Sequence, residues 1–264
     1  MGKTTVSTFA RRREANEKIV MVTAGSAPEA AAAAAAGIDV ILVGDSLGMT
    51  MLGFDSTIPV TMEMMLHHTK AVRRGAPEAF VIFDMPFLSY HCGIDEAVRN
   101  AGKALQTAGA DAVKLEGGAD PELVKRLVES GIPVLGHLGL LPQSIRTAGG
   151  YKVVGRTEAA ADKLVAEAKA LEEAGAFAVV LECVPAALGE RVTKVLHIPT
   201  IGIGSGPECS GQVQVLYDTL GITEHTPKHA KRFADLGEAM RNALAAYASE
   251  VKSGAFPAPE NTFK

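Results

Sequence analysis

The sequence predicts an α/β fold of the (β/α)8-barrel class. Three observations carry this. Eight short apolar runs recur along the 264 residues, each is followed by a longer, often Ala-rich and charge-bearing segment, and the joins between them share a pattern. Alternation of this kind builds a parallel sheet with crossover helices, and eight units in about 250 residues is the size of a closed barrel. A doubly wound open sheet is the competing topology. One catalytic domain over 1–264 is expected, with additional helices at both ends.

The predicted strands are 19–22, 40–43, 80–83, 112–115, 134–135, 177–181, 200–203 and 213–217. Most are continuous runs rich in Val and Ile, as strands buried on both faces are. Helices are predicted over 28–36, 61–74, 95–108, 121–130 and 157–174, stopping at Gly37, Gly75, Gly109, Gly131 and Gly175. A glycine just past a helix end accepts the left-handed cap conformation. Asp95 and Thr157 are placed as N-caps. The pieces Ala36-Gly37-Ile38-Asp39, Ala108-Gly109-Ala110-Asp111 and Ala174-Gly175-Ala176-Phe177 repeat one helix-to-strand join. Further helices are expected over 5–16 and 228–252, with a loop after Gly254.

A formal net charge of −4 provides no basic footprint for nucleic acid or anionic lipid, so neither partner is expected. The longest apolar stretch surrounds the alanine tract 30–36 and is too short to span a bilayer. No signal-peptide or lipidation pattern is recognised. The three cysteines, Cys92, Cys183 and Cys209, are odd in number and contain no Cys-x-x-Cys. That disfavours a disulfide framework or structural zinc and points to the cytoplasm.

Active sites of parallel barrels lie at the C-terminal ends of the strands. There the second strand delivers Asp45, the third Asp84, the fourth Lys114 and Glu116, the fifth His137 and the sixth Glu182. A single Asp after a strand is ordinarily a turn former or helix cap. Four carboxylates, a lysine and a histidine at one rim are different, because their repulsion and desolvation need a counterion. Hard oxygen donors without cysteine point to Mg²⁺ or a similar divalent cation. Asp45 and Asp84 stand on neighbouring strands, a span of roughly 5 Å that one ion can bridge. Glu116 would bind it directly or through water. Lys114 and Glu116, two residues apart, share one strand face, and Lys114 is suited to a substrate carboxylate or a developing enolate. Glu182, across the barrel from the aspartates, is suited to serve as general base.

Other features are set aside. Gly202-x-Gly204-x-Gly206 lacks the lysine and acidic partner of phosphate-binding loops, so turning or close approach is expected of it. His67 and His68 are adjacent on a helix and face different directions. Cys183 is expected to point away from Glu182 in a structural role.

The residues also carry a resemblance. The stretches Val43-Gly44-Asp45-Ser46-Leu47-Gly48-Met49, Asp55-Ser56-Thr57-Ile58-Pro59-Val60-Thr61 and Lys114-Leu115-Glu116-Gly117-Gly118 occur in that order. Gly136-His137-Leu138-Gly139-Leu140, Pro142-Gln143-Ser144, Gly149-Gly150-Tyr151-Lys152-Val153 and Leu181-Glu182-Cys183-Val184-Pro185 follow. Together they resemble the ketopantoate hydroxymethyltransferase family over most of the chain. The resemblance implies a TIM barrel of the phosphoenolpyruvate/pyruvate-binding superfamily type. It implies transfer of a one-carbon unit from 5,10-methylenetetrahydrofolate to 3-methyl-2-oxobutanoate, giving 2-dehydropantoate in pantothenate biosynthesis. It also implies Mg²⁺ at Asp45, Asp84 and Glu116, the keto acid at Asp45, Ser46, Asp84 and Lys114, and Glu182 as base. Ser46 is the addition to the rim set. His137 is assigned to orienting the substrate, and a homo-oligomer, often a decamer, is implied.

One departure stands at the end of the first strand. The family there usually reads Thr-Ala-Tyr-Asp, whereas this chain reads Thr23-Ala24-Gly25-Ser26. Drift at a rim position without chemical duty is the favoured account; altered access or keto acid preference is the other. Two competing functions are a C–C lyase of the isocitrate lyase or phosphonomutase type, and a catalytically inactive homologue. The first generally needs a cysteine loop not recognised here, and the second is disfavoured by the intact carboxylates.

Overall fold

Eight parallel strands hydrogen-bond in chain order and close into a barrel, in a computed structural model that describes residues 4–118 and 120–263. The strands are β1 (Ile19–Thr23), β2 (Val40–Val43), β3 (Phe80–Asp84), β4 (Ala112–Glu116), β5 (Val134–Gly139), β6 (Ala178–Glu182), β7 (Thr200–Ile203) and β8 (Gly211–Gln214). The helices are α1 (Val6–Glu14), α2 (Ala27–Ala35), α3 (Leu47–Thr50), α4 (Met62–Gly75), α5 (Ile94–Ala108), α6 (Pro121–Glu129), α7 (Ile145–Ala148), α8 (Glu158–Glu173), α9 (Ala186–Val195), α10 (Leu216–Thr219) and α11 (Leu236–Ser253). Two compact units result, Met1–Val215 and Leu216–Lys264. The first holds the barrel. The second holds α10, α11 and a 3-10 turn at Pro259–Asn261. Among the described residues no helix is long and apolar enough to cross a membrane.

Inside the barrel the two-residue strand period sorts side chains into layers. Phe80 and Ile82, Ala112, Leu135, and Ala178 and Val180 belong to one buried apolar cluster. One step further along the same faces stand Asp84, Lys114 and Glu116, His137, and Glu182. The polar layer is therefore the continuation of the core toward the C-terminal rim. At the opposite end α1 inserts Phe9, whose ring lies 5.4 Å from Phe80 and 4.9 Å from Phe177. There Asp39 and Asp111 accept strand N–H groups of Val20 and Val81 at 2.9 Å and pair with Arg12 and Arg73 at 2.5 Å. They hold the bottom of the barrel together.

Several elements differ from expectation. Gly75 lies inside α4 and does not take a left-handed cap. A side chain there would press on the Ala27 carbonyl oxygen, at 2.1 Å, so this glycine serves helix packing. Asp95 sits in the first turn of α5, and the cap position is Gly93 at φ 117°. Strand β8 runs over Gly211–Gln214, because Gly211 passes too close to the Ile19 carbonyl to carry a side chain, and the chain turns into α10 right after Val215. Helix α11 begins at Leu236, since Arg232 folds back onto the carbonyls of Thr223 and Glu224 at 2.8 and 2.7 Å. Helix α9 was absent from the expected set; Gly189 within it faces the Ser205 carbonyl oxygen, so the helix packs closely there.

Candidate active site

Asp45, Asp84, Lys114, Glu116 and His137 are all buried, at 9% exposure or less, while the Glu182 side chain is more open at 16%. The structure brings them together as a chain of alternating charge across four strands. Lys114 Nζ lies 2.6 Å from Asp84 Oδ1 and 3.9 Å from Glu116 Oε1. His137 Nδ1 lies 3.6 Å from Glu116 Oε1, and its Nε2 lies 3.1 Å from Glu182 Oε2. Both histidine nitrogens and Glu116 Oε1 lack a well-aligned hydrogen bond, so these contacts are ion pairs. The Asp45 N–H donates to Asp84 Oδ2 at 3.2 Å and so ties the second strand's aspartate to the third's. Ser46 follows at the start of α3, and its hydroxyl does not cap that helix. His137 thus faces a carboxylate with each of its nitrogens, Glu116 on one side and Glu182 on the other.

Two residues given no role by the sequence complete the site. Gln143, on the 3-10 turn Pro142–Ser144 after β5, donates through Nε2 to Asp45 Oδ2 and to the Met85 carbonyl, each at 2.9 Å. Its backbone N–H donates to Glu116 Oε2 at 3.0 Å. The Tyr90 hydroxyl donates to Gln143 Oε1 at 2.9 Å and accepts from the Glu116 N–H at 3.2 Å. No titratable signature marks a glutamine; only its place in the shared motifs pointed to it.

Close approach of strands positions Glu182. Gly139, at φ 95°, lies against the Glu182 carbonyl oxygen, where a Cβ would come within 2.1 Å. Next to it Cys183 adopts φ 50°, donates its N–H to the Ile203 carbonyl, and holds the Val154 N–H at 3.0 Å. Burial pushes the Cys183 thiol up to about 11, which makes it a poor nucleophile.

The electrostatics follow from burial and charge count. Asp45 is raised well above the usual carboxylate range by burial and then by Asp84 and Glu116. Burial likewise raises Asp84, against the pull of Lys114. Burial opposes ionisation of Glu116 too, but His137, Lys114 and the Gln143 N–H outweigh it and its pKa is lowered. For His137, burial and Lys114 disfavour the imidazolium, yet the carboxylates of Glu116 and Glu182 prevail and push it up to about 9. Four carboxylates facing one ammonium and one imidazolium leave a formal excess of two negative charges.

A divalent cation fits that excess, the all-oxygen donor set of Asp45, Asp84 and Glu116, and the orphaned, buried Glu116 Oε1. The carboxylates are turned to their protein partners: among the described residues no three His, Cys, Asp or Glu side chains converge closely enough to hold an ion as they stand.

At the end of β1, Ser26 is the N-cap of α2, and Glu29 Oε2 accepts the N–H groups of Gly25 and Ser26 at 2.8 and 3.1 Å. The Gly25 carbonyl accepts from His68 Nδ1 at 2.7 Å, and the Met51 thioether occupies the space a side chain at position 25 would enter. Local structure thus accounts for both residues of the departure. Gly204 and Gly206 take φ of 69° and 86°, the turning role expected of them.

The fold and rim define an enzyme of the TIM-barrel class. Solved structures with the same fold include 2,3-dimethylmalate lyase (TM-score 0.61, 16% identity, covering 100% of this chain and 93% of that one). Another is phosphoenolpyruvate phosphomutase from Streptomyces platensis subsp. rosaceus (TM-score 0.61, 14% identity, 95% and 88%). The chain belongs to the ketopantoate hydroxymethyltransferase family, whose profile matches residues 3–259. It is 54% identical over 263 residues to the 3-methyl-2-oxobutanoate hydroxymethyltransferase of Syntrophus aciditrophicus, covering 99% of this chain and 97% of that protein. With that of Carboxydothermus hydrogenoformans it shares 53% over 265 residues, covering 100% and 96%. It is a transferase of the hydroxymethyltransferase class, a step of pantothenate biosynthesis.

Proposed function

We propose that the protein transfers a one-carbon unit from 5,10-methylenetetrahydrofolate to the enolate of 3-methyl-2-oxobutanoate, giving 2-dehydropantoate. The single observation that carries this reading is the buried chain of alternating charge that ends on the partly open Glu182. Asp45, Asp84 and Glu116 would hold a divalent cation, and a structural neighbour, phosphonopyruvate hydrolase, was solved with oxalate and Mg²⁺. Such an ion supplies a Lewis-acid charge beside the oxygens of a 2-oxo acid.

The chain's own residues do the rest. Lys114 Nζ, fixed by Asp84, presents positive charge where the enolate oxygen develops, in a site where burial strengthens it. Ser46 offers its hydroxyl to the substrate carboxylate. Glu182 removes the C3 proton, with His137 holding one of its oxygens so that the other faces the substrate. The enolate carbon then bonds to the methylene carbon of the donor, opened to its iminium form; water replaces the folate nitrogen on that carbon, supplying the product hydroxyl as the C–N bond breaks and tetrahydrofolate leaves.

We also infer a cytoplasmic homo-oligomer. The three cysteines form no disulfide. On α11 the side chains of Leu236, Met240, Leu244, Tyr247 and Val251 recur at three- and four-residue steps and are 42–61% exposed. An apolar stripe of that spacing is what helices bury against another copy.

The test is deuterium exchange at C3 of 3-methyl-2-oxobutanoate in D₂O, followed by proton NMR without folate, with and without Mg²⁺. Metal-dependent exchange is expected. Absence of exchange in folded, metal-supplied protein would overturn the assignment and favour an inactive homologue.

A further inference from the structure

The buried polar site is sized for a small acid, yet the rim above it is apolar. Met49 and Leu52 follow β2, Leu88 follows β3, and Tyr151 and Val153 follow β5; all five are 37–58% exposed. Single exposed apolar residues need no account, but five on one rim do. Leu88 adds a second anomaly, because it holds a left-handed backbone (φ 64°) while its side chain stays half exposed. That conformation costs roughly 1–2 kcal/mol in an L-residue and packing does not repay it here.

Tyr151 reaches furthest. Its hydroxyl meets the Met49 sulfur at 3.7 Å, joining the segment after β5 to the segment after β2. The segment that carries it is bounded by Gly149, Gly150 and Gly155, at φ of 67°, 116° and 78°. It is anchored by the Val154 N–H on the Cys183 carbonyl, one residue beyond Glu182. Burial raises the Tyr151 phenol, and so does the negative charge of Glu182, Asp45 and Glu116.

We propose that Tyr151, with Met49 beside it, is the platform on which the flat heteroaromatic ring of the one-carbon donor packs, closing the mouth once the keto acid is inside. This rests on the function proposed above and adds the donor's contact. The geometry requires a second substrate to enter from the solvent side, since the strands close the walls and Phe9 fills the far end. A planar ring offers an aromatic and a thioether surface what each binds best, a flat π face. Covering the mouth would also keep water from reprotonating the enolate before it attacks.

The experiment uses full-length protein and the variants Tyr151→Ala, Tyr151→Phe and Met49→Ala. Two readouts are made: folate-free C3 deuterium exchange, and 2-dehydropantoate formation as a function of 5,10-methylenetetrahydrofolate. For Tyr151→Ala the KM for the donor is expected to rise about tenfold or more, as the loss of an aromatic platform implies. Exchange, which reports keto acid and base, is expected to stay within about threefold. Tyr151→Phe keeps the ring and is expected to restore the donor KM, whereas Met49→Ala gives a smaller rise. An unmoved donor KM in Tyr151→Ala overturns the proposal, as does a parallel loss of exchange, which would place Tyr151 at the keto acid. A changed sedimentation coefficient with unmoved KM assigns the rim to subunit contact and overturns it too. Unaltered protein that exchanges C3 yet takes no carbon from the donor refutes the donor; failure to exchange refutes the base. The two failures are thereby distinguished.

Discussion

Gln143→Leu probes the residue that joins most of the site. The change removes side-chain bonds to Asp45 Oδ2, the Met85 carbonyl and the Tyr90 hydroxyl, all at 2.9 Å. Leucine has nearly the same volume, so little cavity is created and the cost is one of unsatisfied groups. A buried polar group left without its partner costs about 1–3 kcal/mol, and partial relaxation of Tyr90 brings the total to roughly 2–5 kcal/mol. At about 2–4 °C per kcal/mol for a domain of this size, the midpoint of thermal unfolding should fall by roughly 4–20 °C. Asp45 also loses the group that orients it, so divalent-ion affinity should drop about 10- to 100-fold. Calorimetry at fixed protein concentration without added metal gives the first number, and titration with Mg²⁺ gives the second. A midpoint within about 2 °C of the unaltered protein would refute the hub role of Gln143, whatever happened to activity.

Glu182→Gln should retain keto acid binding and lower C3 exchange by roughly a hundredfold or more, measured by proton NMR; persistent exchange would mean another base. Asp84→Asn should weaken keto acid binding that depends on the metal, measured by calorimetric titration, and unchanged metal dependence would remove Asp84 from the site. Phe9→Ala should destabilise by about 3–5 kcal/mol in chemical denaturation while leaving exchange intact, because Phe9 packs at the end of the barrel opposite the site. A parallel loss of exchange in that variant would show that the two ends are coupled.

The barrel was legible because its strands are continuous Val- and Ile-rich runs, and Gly37, Gly109, Gly131 and Gly175 all take the positive φ that helix ends demand. Gly75 misled because a glycine required for close approach leaves the same letter as one required for a turn. The convergence of Asp45, Asp84, Lys114, Glu116, His137 and Glu182 followed from the rule that strand ends share a rim. Their partners did not follow from it. Gln143 comes from a turn that has no periodicity, and its three side-chain bonds depend on the path of the backbone after β5. His137 illustrates a finer limit, because the rim rule placed it at the barrel mouth but could not show carboxylates on both of its nitrogens.

The charge excess of the site yields a test of whether Lys114 and a bound ion share one task. Lys114 is held strongly in its charged form by Asp84, Glu116 and Asp45, in spite of its burial. In Lys114→Met those carboxylates face one another with a single imidazolium, and loss of a buried partner costs about 3–5 kcal/mol. The sign with pH is set by the carboxylates. Asp45 and Asp84 already have folded-state pKa values above their unfolded ones, so the folded form binds more protons and stability declines as pH rises through that range. Removal of Lys114 raises them further and widens the window. The variant's deficit should therefore be largest near neutrality and shrink as pH falls toward the ordinary carboxylate range. If Mg²⁺ compensates the same carboxylates, saturating ion should raise the unfolding midpoint more in the variant than in the unaltered protein. Equal shifts would mean that the ion binds elsewhere, and that Lys114 alone balances the barrel mouth.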